Sequence, residues 1–385
     1  MVFVILSLKG HQFVGFNMGG DESTNENIIS LSLTTLLHLI SDKILVPKED
    51  FKNPKRESTK SGENGKTIGD IVLFTSESKI LGDLPHKEAY EKTSKAVGRI
   101  FVSFKIPNKK ELSWFGGTGF CVKKDLVMTA AHVTAYPVNI NAPLETQEMQ
   151  RNLKHEKIYI FFGTDATTES EVDLENINPT TMYELESYGK LESNYPLVVS
   201  GDDNKQHPWH PNDLEVLKFK GKPPTDIDIL FPILPTDDRQ VVHYAMGYPN
   251  YVNLNDFVSS YGTSDTNNLI ILYTNVSQQS RNFEKKTIFI EKIAKFRDHV
   301  ISHHCPTLKG VSGGILAISQ HERKFVGVHL GGNSVIGNFA ISVTHPTFWH
   351  LYKTFVLDGQ FIKENYKHLE DYLNYFKYTS PKKTF

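Results

Sequence analysis

Short runs rich in β-branched and aromatic residues recur along this chain, and they leave few architectures open. RIFVSF (99–104), GTGFCV (117–122), DLVMTA (125–130), KIYIFFG (157–163), VVHYAMGYP (241–249), NLIILYTNV (268–276), GGILAIS (313–319) and KFVGVHLGG (324–332) all read as strands. Gly, Pro, Asn or charged clusters separate many of them. Long amphipathic helices are scarce, so an all-β sandwich or barrel is expected rather than βαβ repeats. One helix is expected at the C-terminus, where Phe361, Tyr366, Leu369, Leu373 and Phe376 recur at helical intervals.

Composition narrows the function classes. The chain has 385 residues, of which 39% are hydrophobic, enough for packed cores. No run of 18 apolar residues is present, so no membrane partner is expected. The opening MVFVILSLKG lacks a basic flank and a small-residue cleavage site, so no signal peptide is read and a cytoplasmic location is expected. A net charge of −2 gives no reason to expect nucleic acid. Cys121 and Cys305 cannot make a disulfide framework and read as buried small hydrophobes. His303, His304, His345 and His350 match no metal-ligand spacing and read as surface or packing residues; no cofactor is expected. Residues 46–66 are polar and aperiodic and suit a linker, and 164–187 read as a solvated acidic loop.

The chain also echoes itself. At an offset of 312, Phe13 maps on Phe325, and residues 2–45 share 12 identities in 44 with 314–357. Residues 1–45 therefore read as the tail of a preceding unit of the same kind. Asn17 stands at the place of His329, and no Ser-Gly-Gly precedes it, so this segment is not expected to be catalytic alone. A tandem array within one product, or a start codon upstream of Met1, is the expectation that follows.

Three segments carry chemistry. His132 ends TAAH after a strand, Ser312 sits between glycines in KGVSGG, and TDIDILFPIL (225–234) leads acidic residues into an apolar run. A serine hydroxyl needs an adjacent imidazole to take its proton, and the imidazole needs a carboxylate to fix its tautomer. The tetrahedral intermediate needs N–H donors, which Gly310 and Ser312 can supply as an oxyanion hole.

TAAH and GxSGG, in this order and about 180 residues apart, resemble the chymotrypsin-like (trypsin-fold) serine proteases over roughly 95–357. The resemblance implies two six-stranded antiparallel β-barrels with the site between them, and a protein or peptide substrate. It implies an acid just ahead of a strand whose alternate residues face a core. Asp228 fits, with Leu230 and Leu234 inward; Asp226 is the alternative. The position where trypsin has its pocket acid is Pro306 here. CPTLKGVSGG followed by FVGVHLGG instead resembles the picornavirus-type processing proteases and the glutamyl endopeptidases. On that resemblance Thr307, His329 and Gly331 bind the substrate, and cleavage follows Gln or Glu. Val311 stands where trypsin-type zymogens hold their activating Asp, so no such switch is expected.

The expected organisation is a partial repeat (1–45), a linker or extension (46–90), an N-terminal barrel (91–235) with a long polar insertion (about 135–225), a C-terminal barrel (236–357), and a helix with tail (358–385). Two functions compete: a serine endopeptidase, and an inactive pseudo-protease that binds peptides or acts as a scaffold.

Overall fold

The computed structural model describes residues 70–73, 86–138, 142–166, 172–191, 212–236, 241–251, 284–291, 294–297, 299–303, 305, 307–333 and 337–379, together with four two-residue strands within 1–18. The strand expected at 268–276, the linker at 46–66, and Pro306 and His304 lie outside the described residues. The chain divides into Met1–Pro47 and Lys48–Phe385. In the first unit β1 (Val2–Phe3) pairs antiparallel with β4 (Asn17–Met18), and β2 (Ser7–Leu8) with β3 (His11–Gln12). Phe3 lies opposite Asn17. The residue that the 312 offset equates with Phe3, Ile315, lies opposite Val328, one place from the equivalent of Asn17.

The second unit contains a closed antiparallel barrel. Its strands are β6 (Val97–Phe104), β7 (Ser113–Lys123), β8 (Leu126–Thr129), β9 (His155–Phe161), β10 (Met182–Lys190) and β11 (Glu215–Phe219), in the order β10-β11-β8-β7-β6-β9. Every residue of β6 is buried, because its two faces meet the barrel interior and the surrounding packing. The interval 135–225, expected to be a polar insertion, in fact supplies three of the six strands. In β10 only Met182, Leu185 and Gly189 are buried, so MYELESYGK presents a mostly polar outer face and hides its role in the barrel.

The second sheet is antiparallel, with eight strands. It runs through β15 (Ala294–Arg297), β16 (Val300–His303), β20 (Gly337–Ser342), β19 (Gly327–Asn333), β17 (Ile315–Ile318), β13 (His243–Gly247), β14 (Thr287–Glu291) and β5 (Asp70–Leu73). The interval 46–90, expected to be a linker or extension, contributes the edge strand β5. A short parallel pair, β12 (Phe231–Pro232) with β18 (Lys324–Phe325), runs along the connector between the two bodies. One apolar cluster spans both, with Phe120 of the barrel and Phe325 of the second body edge to face at 4.9 Å.

Helix α1 (Lys87–Ser94) precedes the barrel and α2 (Leu144–Arg151) lies between β8 and β9. Two helices, α3 (Pro346–Phe355) and α4 (Gly359–Thr379), close the chain, the last as expected from its periodicity. Phe361, Leu369 and Tyr372 are buried, whereas Tyr366 is exposed. Tyr372 donates to the Val343 carbonyl at 2.8 Å, and Trp349 stacks on Phe376 at 4.0 Å. Among the described residues no helix is long and apolar enough to cross a membrane. Leu369 is fully buried, so Leu369→Ala should lower unfolding free energy by about 2–5 kcal/mol. Lys367→Ala, on the exposed side, should change it by less than about 0.5 kcal/mol. Equal urea midpoints for the two variants would show that α4 is not packed on the body.

Candidate active site

The site is built at the end of β8, where the chain leaves the barrel through Ala130 into a 3₁₀ turn, Ala131–Val133. His132 lies in that turn. Its backbone N–H donates to Asp213 Oδ1 at 2.8 Å, and its Nδ1 meets Asp213 Oδ2 at 2.6 Å. The carboxylate thus grips main chain and ring together, and sets the Nδ1–H tautomer that leaves Nε2 as acceptor. Pairing of β8 with β11 brings this about. Thr129 lies opposite Glu215, so residues just beyond Thr129 meet residues just before Glu215. Asn212 is tied to the start of α3 by Thr347 Oγ1 at 3.3 Å, and Leu214 N–H closes a tight turn on the Asn212 carbonyl at 2.8 Å.

The acid expected against His132 was Asp228, with Asp226 second. Neither is there. Asp228 Oδ1 lies 3.4 Å from Arg323 Nη1, and Asp226 is exposed beside Thr225. Both sit on the connector between the two bodies rather than ahead of a barrel strand: Leu230 N–H bonds the Cys121 carbonyl, and Phe231 N–H that of Arg323. Asp213 was missed although Asp213-Leu214-Glu215-Val216 has the sought form, an acid leading into a strand. Glu215 obscured it. That carboxylate is buried, accepting from Thr134 Oγ1 and Ser187 Oγ with Lys190 Nζ at 4.0 Å, so a charged residue occupies an inward strand position.

Ser312 sits on a turn that requires glycine on both sides. Gly310 has φ 95° and Gly313 φ 82°. A Cβ on Gly313 would lie 2.2 Å from the Thr118 carbonyl oxygen. Ser312 Oγ donates to the Leu330 carbonyl at 2.8 Å. The carbonyls of the turn are also engaged: Ser312 O accepts from Thr118 N–H at 2.9 Å, and Gly310 O from Thr118 Oγ1 at 2.8 Å. Thr118 Oγ1 in turn accepts Tyr248 N–H at 3.1 Å, and its carbonyl accepts from Thr129 Oγ1 at 2.7 Å. Thr118 and Thr129 therefore connect the His132 strand to the Ser312 turn. Their sequence signal was only two threonines next to the motifs. Among the described residues, no acceptor bonds the N–H of Gly310 or Ser312.

His329 and Thr307 are both buried. His329 N–H donates to the Gly314 carbonyl and its own carbonyl accepts from Gly313 N–H, at 2.8 and 2.7 Å, which locks its strand to the serine turn. Its Nδ1 lies 3.1 Å from Nε2 of His303, a buried residue that the sequence offers as a surface or packing histidine. Burial, with help from the charge of His132, lowers the His329 pKa to about 3. The segment carrying Thr307 is held against the β19–β20 hairpin by Asn338 Nδ2, which donates to the Cys305 carbonyl at 2.6 Å. Gly331 lies at a register shift in β19. Cys121 and Cys305 are buried free thiols, and burial pushes the Cys121 thiol well up. Among the described residues no group of His, Cys, Asp and Glu could hold a metal ion.

No family model and no curated protein matches the chain. Solved structures do. A Glu endopeptidase in complex with MPD is 14% identical, with 66% of this chain and 88% of that chain covered and a TM-score of 0.38. The Rv3671c protease from M. tuberculosis, active form, is 13% identical, with 76% and 94% covered and a TM-score of 0.39. A serine endoprotease from Yersinia pestis is 18% identical at a TM-score of 0.34; 68% of this chain is covered, and the match spans 63% of that enzyme's length. All three of these TM-scores lie below 0.5.

Two outcomes follow from the site's packing. Thr118→Val would remove the hydroxyl that donates to the Gly310 carbonyl and accepts from the Tyr248 N–H, and should cost about 1–3 kcal/mol, whereas Thr118→Ser should recover most of it. Equal unfolding midpoints for the two variants would remove the hydroxyl from this account. Burial also lowers His243 and His345 to about 4, as it lowers His329 to about 3. The unfolded chain titrates these rings near about 6.5. Below that pH it binds protons that the folded state refuses, so stability is complete above about 6.5 and is lost as pH falls towards about 4. His243→Phe should flatten the fall in urea midpoint over that window; an unchanged slope would contradict it.

Proposed function

We propose that the second unit is a serine endopeptidase in which Ser312 is the nucleophile, His132 the base and then the acid, and Asp213 the orienting carboxylate. The observation that carries this is the double grip of Asp213 on His132, at 2.6 and 2.8 Å, beside a serine turn bolted to the same barrel. In the resting arrangement the Ser312 hydroxyl is parked on Leu330. Reaction requires it to turn about Cα–Cβ towards His132 Nε2, which then takes its proton as Oγ attacks the scissile carbonyl. The developing oxyanion is received by the N–H groups of Gly310 and Ser312. His132 then gives its proton to the leaving amine, and water repeats the sequence on the acyl-enzyme.

For the substrate side chain, Thr307 and His329 are the readers, as the sequence resemblance implies. With its pKa lowered to about 3, His329 is neutral at ordinary pH. A neutral imidazole can donate one hydrogen bond to the side-chain oxygen of Gln or Glu without bringing a charge into the pocket. Gly331, in the same strand, leaves room for that side chain.

A fluorophosphonate probe should label the full chain, and Ser312→Ala should abolish labelling. Asp213→Asn should slow turnover by about 10⁴-fold, while Asp228→Asn should leave it near the wild-type value. The reverse ranking would return the acid to the connector. In a peptide library, cleavage chiefly after Arg or Lys would refute the Thr307 and His329 assignment. Wild-type protein that binds peptides yet takes no label would point to the scaffold reading.

A further inference from the structure

We propose that Arg99 and Asn250 are positioning residues that hold the Lys309–Gly310 peptide with its N–H turned towards the reacting carbonyl. The proposal rests on the endopeptidase reading above. A peptide unit is planar and trans, so its N–H and C=O point in opposite directions, and fixing one fixes the other. The Lys309 carbonyl accepts from Asn250 N–H at 2.6 Å. That bond decides which way the Gly310 N–H faces. An external clamp is needed here, because Gly310 has no side chain to resist rotation of the unit that precedes it.

Asn250 is itself held. Its Oδ1 accepts from Arg99 Nη2, and its Nδ2 reaches the Gly116 carbonyl at 3.5 Å. Arg99 Nη1 donates to the Tyr248 carbonyl at 2.7 Å, so one planar fork pins two points of the same loop. A Cβ on Gly310 would come within 2.6 Å of Asn250 N and of the Tyr248 carbonyl oxygen. The pinned loop therefore lies directly against the residue whose N–H is at stake. The second donor peptide is fixed more locally, through Gly314 N–H on the Val311 carbonyl at 2.8 Å.

Arg99 belongs to β6 and is 2% exposed. Its charge is met by Glu284, 3.7 Å away, and its guanidinium lies 5.6 Å from the Phe101 ring centroid. Glu284 N–H donates to the Pro249 carbonyl at 2.6 Å, so the countercharge is tied to the loop that Arg99 pins. A buried cation is expensive to keep, and replacing it by an apolar side chain would often leave a fold as stable. Its fork is directed at residues 248 and 250, which gives the burial a purpose at the site. Burial lowers the Arg99 pKa to about 10, which leaves it charged at neutral pH.

The experiment measures fluorophosphonate labelling, and kcat and KM on an internally quenched peptide containing Gln and Glu, with full-length protein. Asn250→Ala should lower kcat and the labelling rate by about tenfold or more, less than the about 10²–10³ of a deleted donor, with KM within about twofold. Asn250→Asp keeps the acceptor for Arg99 and should restore kcat to within about threefold of wild type. Arg99→Met should match Asn250→Ala. A folded Asn250→Ala protein with wild-type kcat overturns the proposal, as does a loss confined to KM. Should Asn250→Ala fail to fold, Asn250→Asp alone decides, because a tenfold loss there sinks the clamp. Wild-type protein that takes no label overturns the endopeptidase reading and this inference together. Labelled wild type with unaffected variants overturns this inference alone.

Discussion

The arrangement of the second unit depends on one residue's hydrogen bonds. Thr118, on β7 of the closed barrel, gives its N–H to Ser312 and its hydroxyl to Gly310, and takes the N–H of Tyr248. All three partners belong to the second body. The Thr118 carbonyl is held by Thr129, three residues before His132. The two bodies could slide over an apolar seam such as Phe120 on Phe325, because dispersion contacts are not directional. Hydrogen bonds are directional, and they set how the serine turn lies relative to the histidine turn.

The site shows a division of labour between the bodies. The barrel supplies His132 and Asp213, held by adjacent strands β8 and β11. The second sheet supplies the serine turn and His329, joined through reciprocal bonds between Gly313, Gly314 and His329. The proposed nucleophile and specificity residue are thus one mechanical piece, while the proposed base and acid are another. A buried Glu215 stiffens the second piece by holding Thr134, which closes the His132 turn.

Part of this arrangement is legible in the sequence. His132, Ser312 and His329 stood out because turns and close backbone approaches demand particular residues at fixed spacing, as Gly310 and Gly313 do at positive φ. The C-terminal helix stood out through its period. Asp213 did not, because its place is defined by a strand pairing between residues about 85 apart, and Glu215 breaks the expected apolar alternation. The connector at 225–234 looked more like a core strand than β11 does, since it lies between two bodies and is apolar for that reason. The polar outer face of β10 concealed a barrel strand in the same way.

The position of β5 has a consequence for the boundaries of a working unit. Asp70–Leu73 pairs along β14, whose sequence TIFIE is largely apolar. A chain cut just ahead of α1 would keep every residue of the proposed site, yet it would leave β14 as a bare edge with unpaired N–H and C=O groups. Such an edge invites pairing with another copy of itself. The segment ahead of the barrel therefore covers the apolar strand β14 and moves the edge of the sheet to β5.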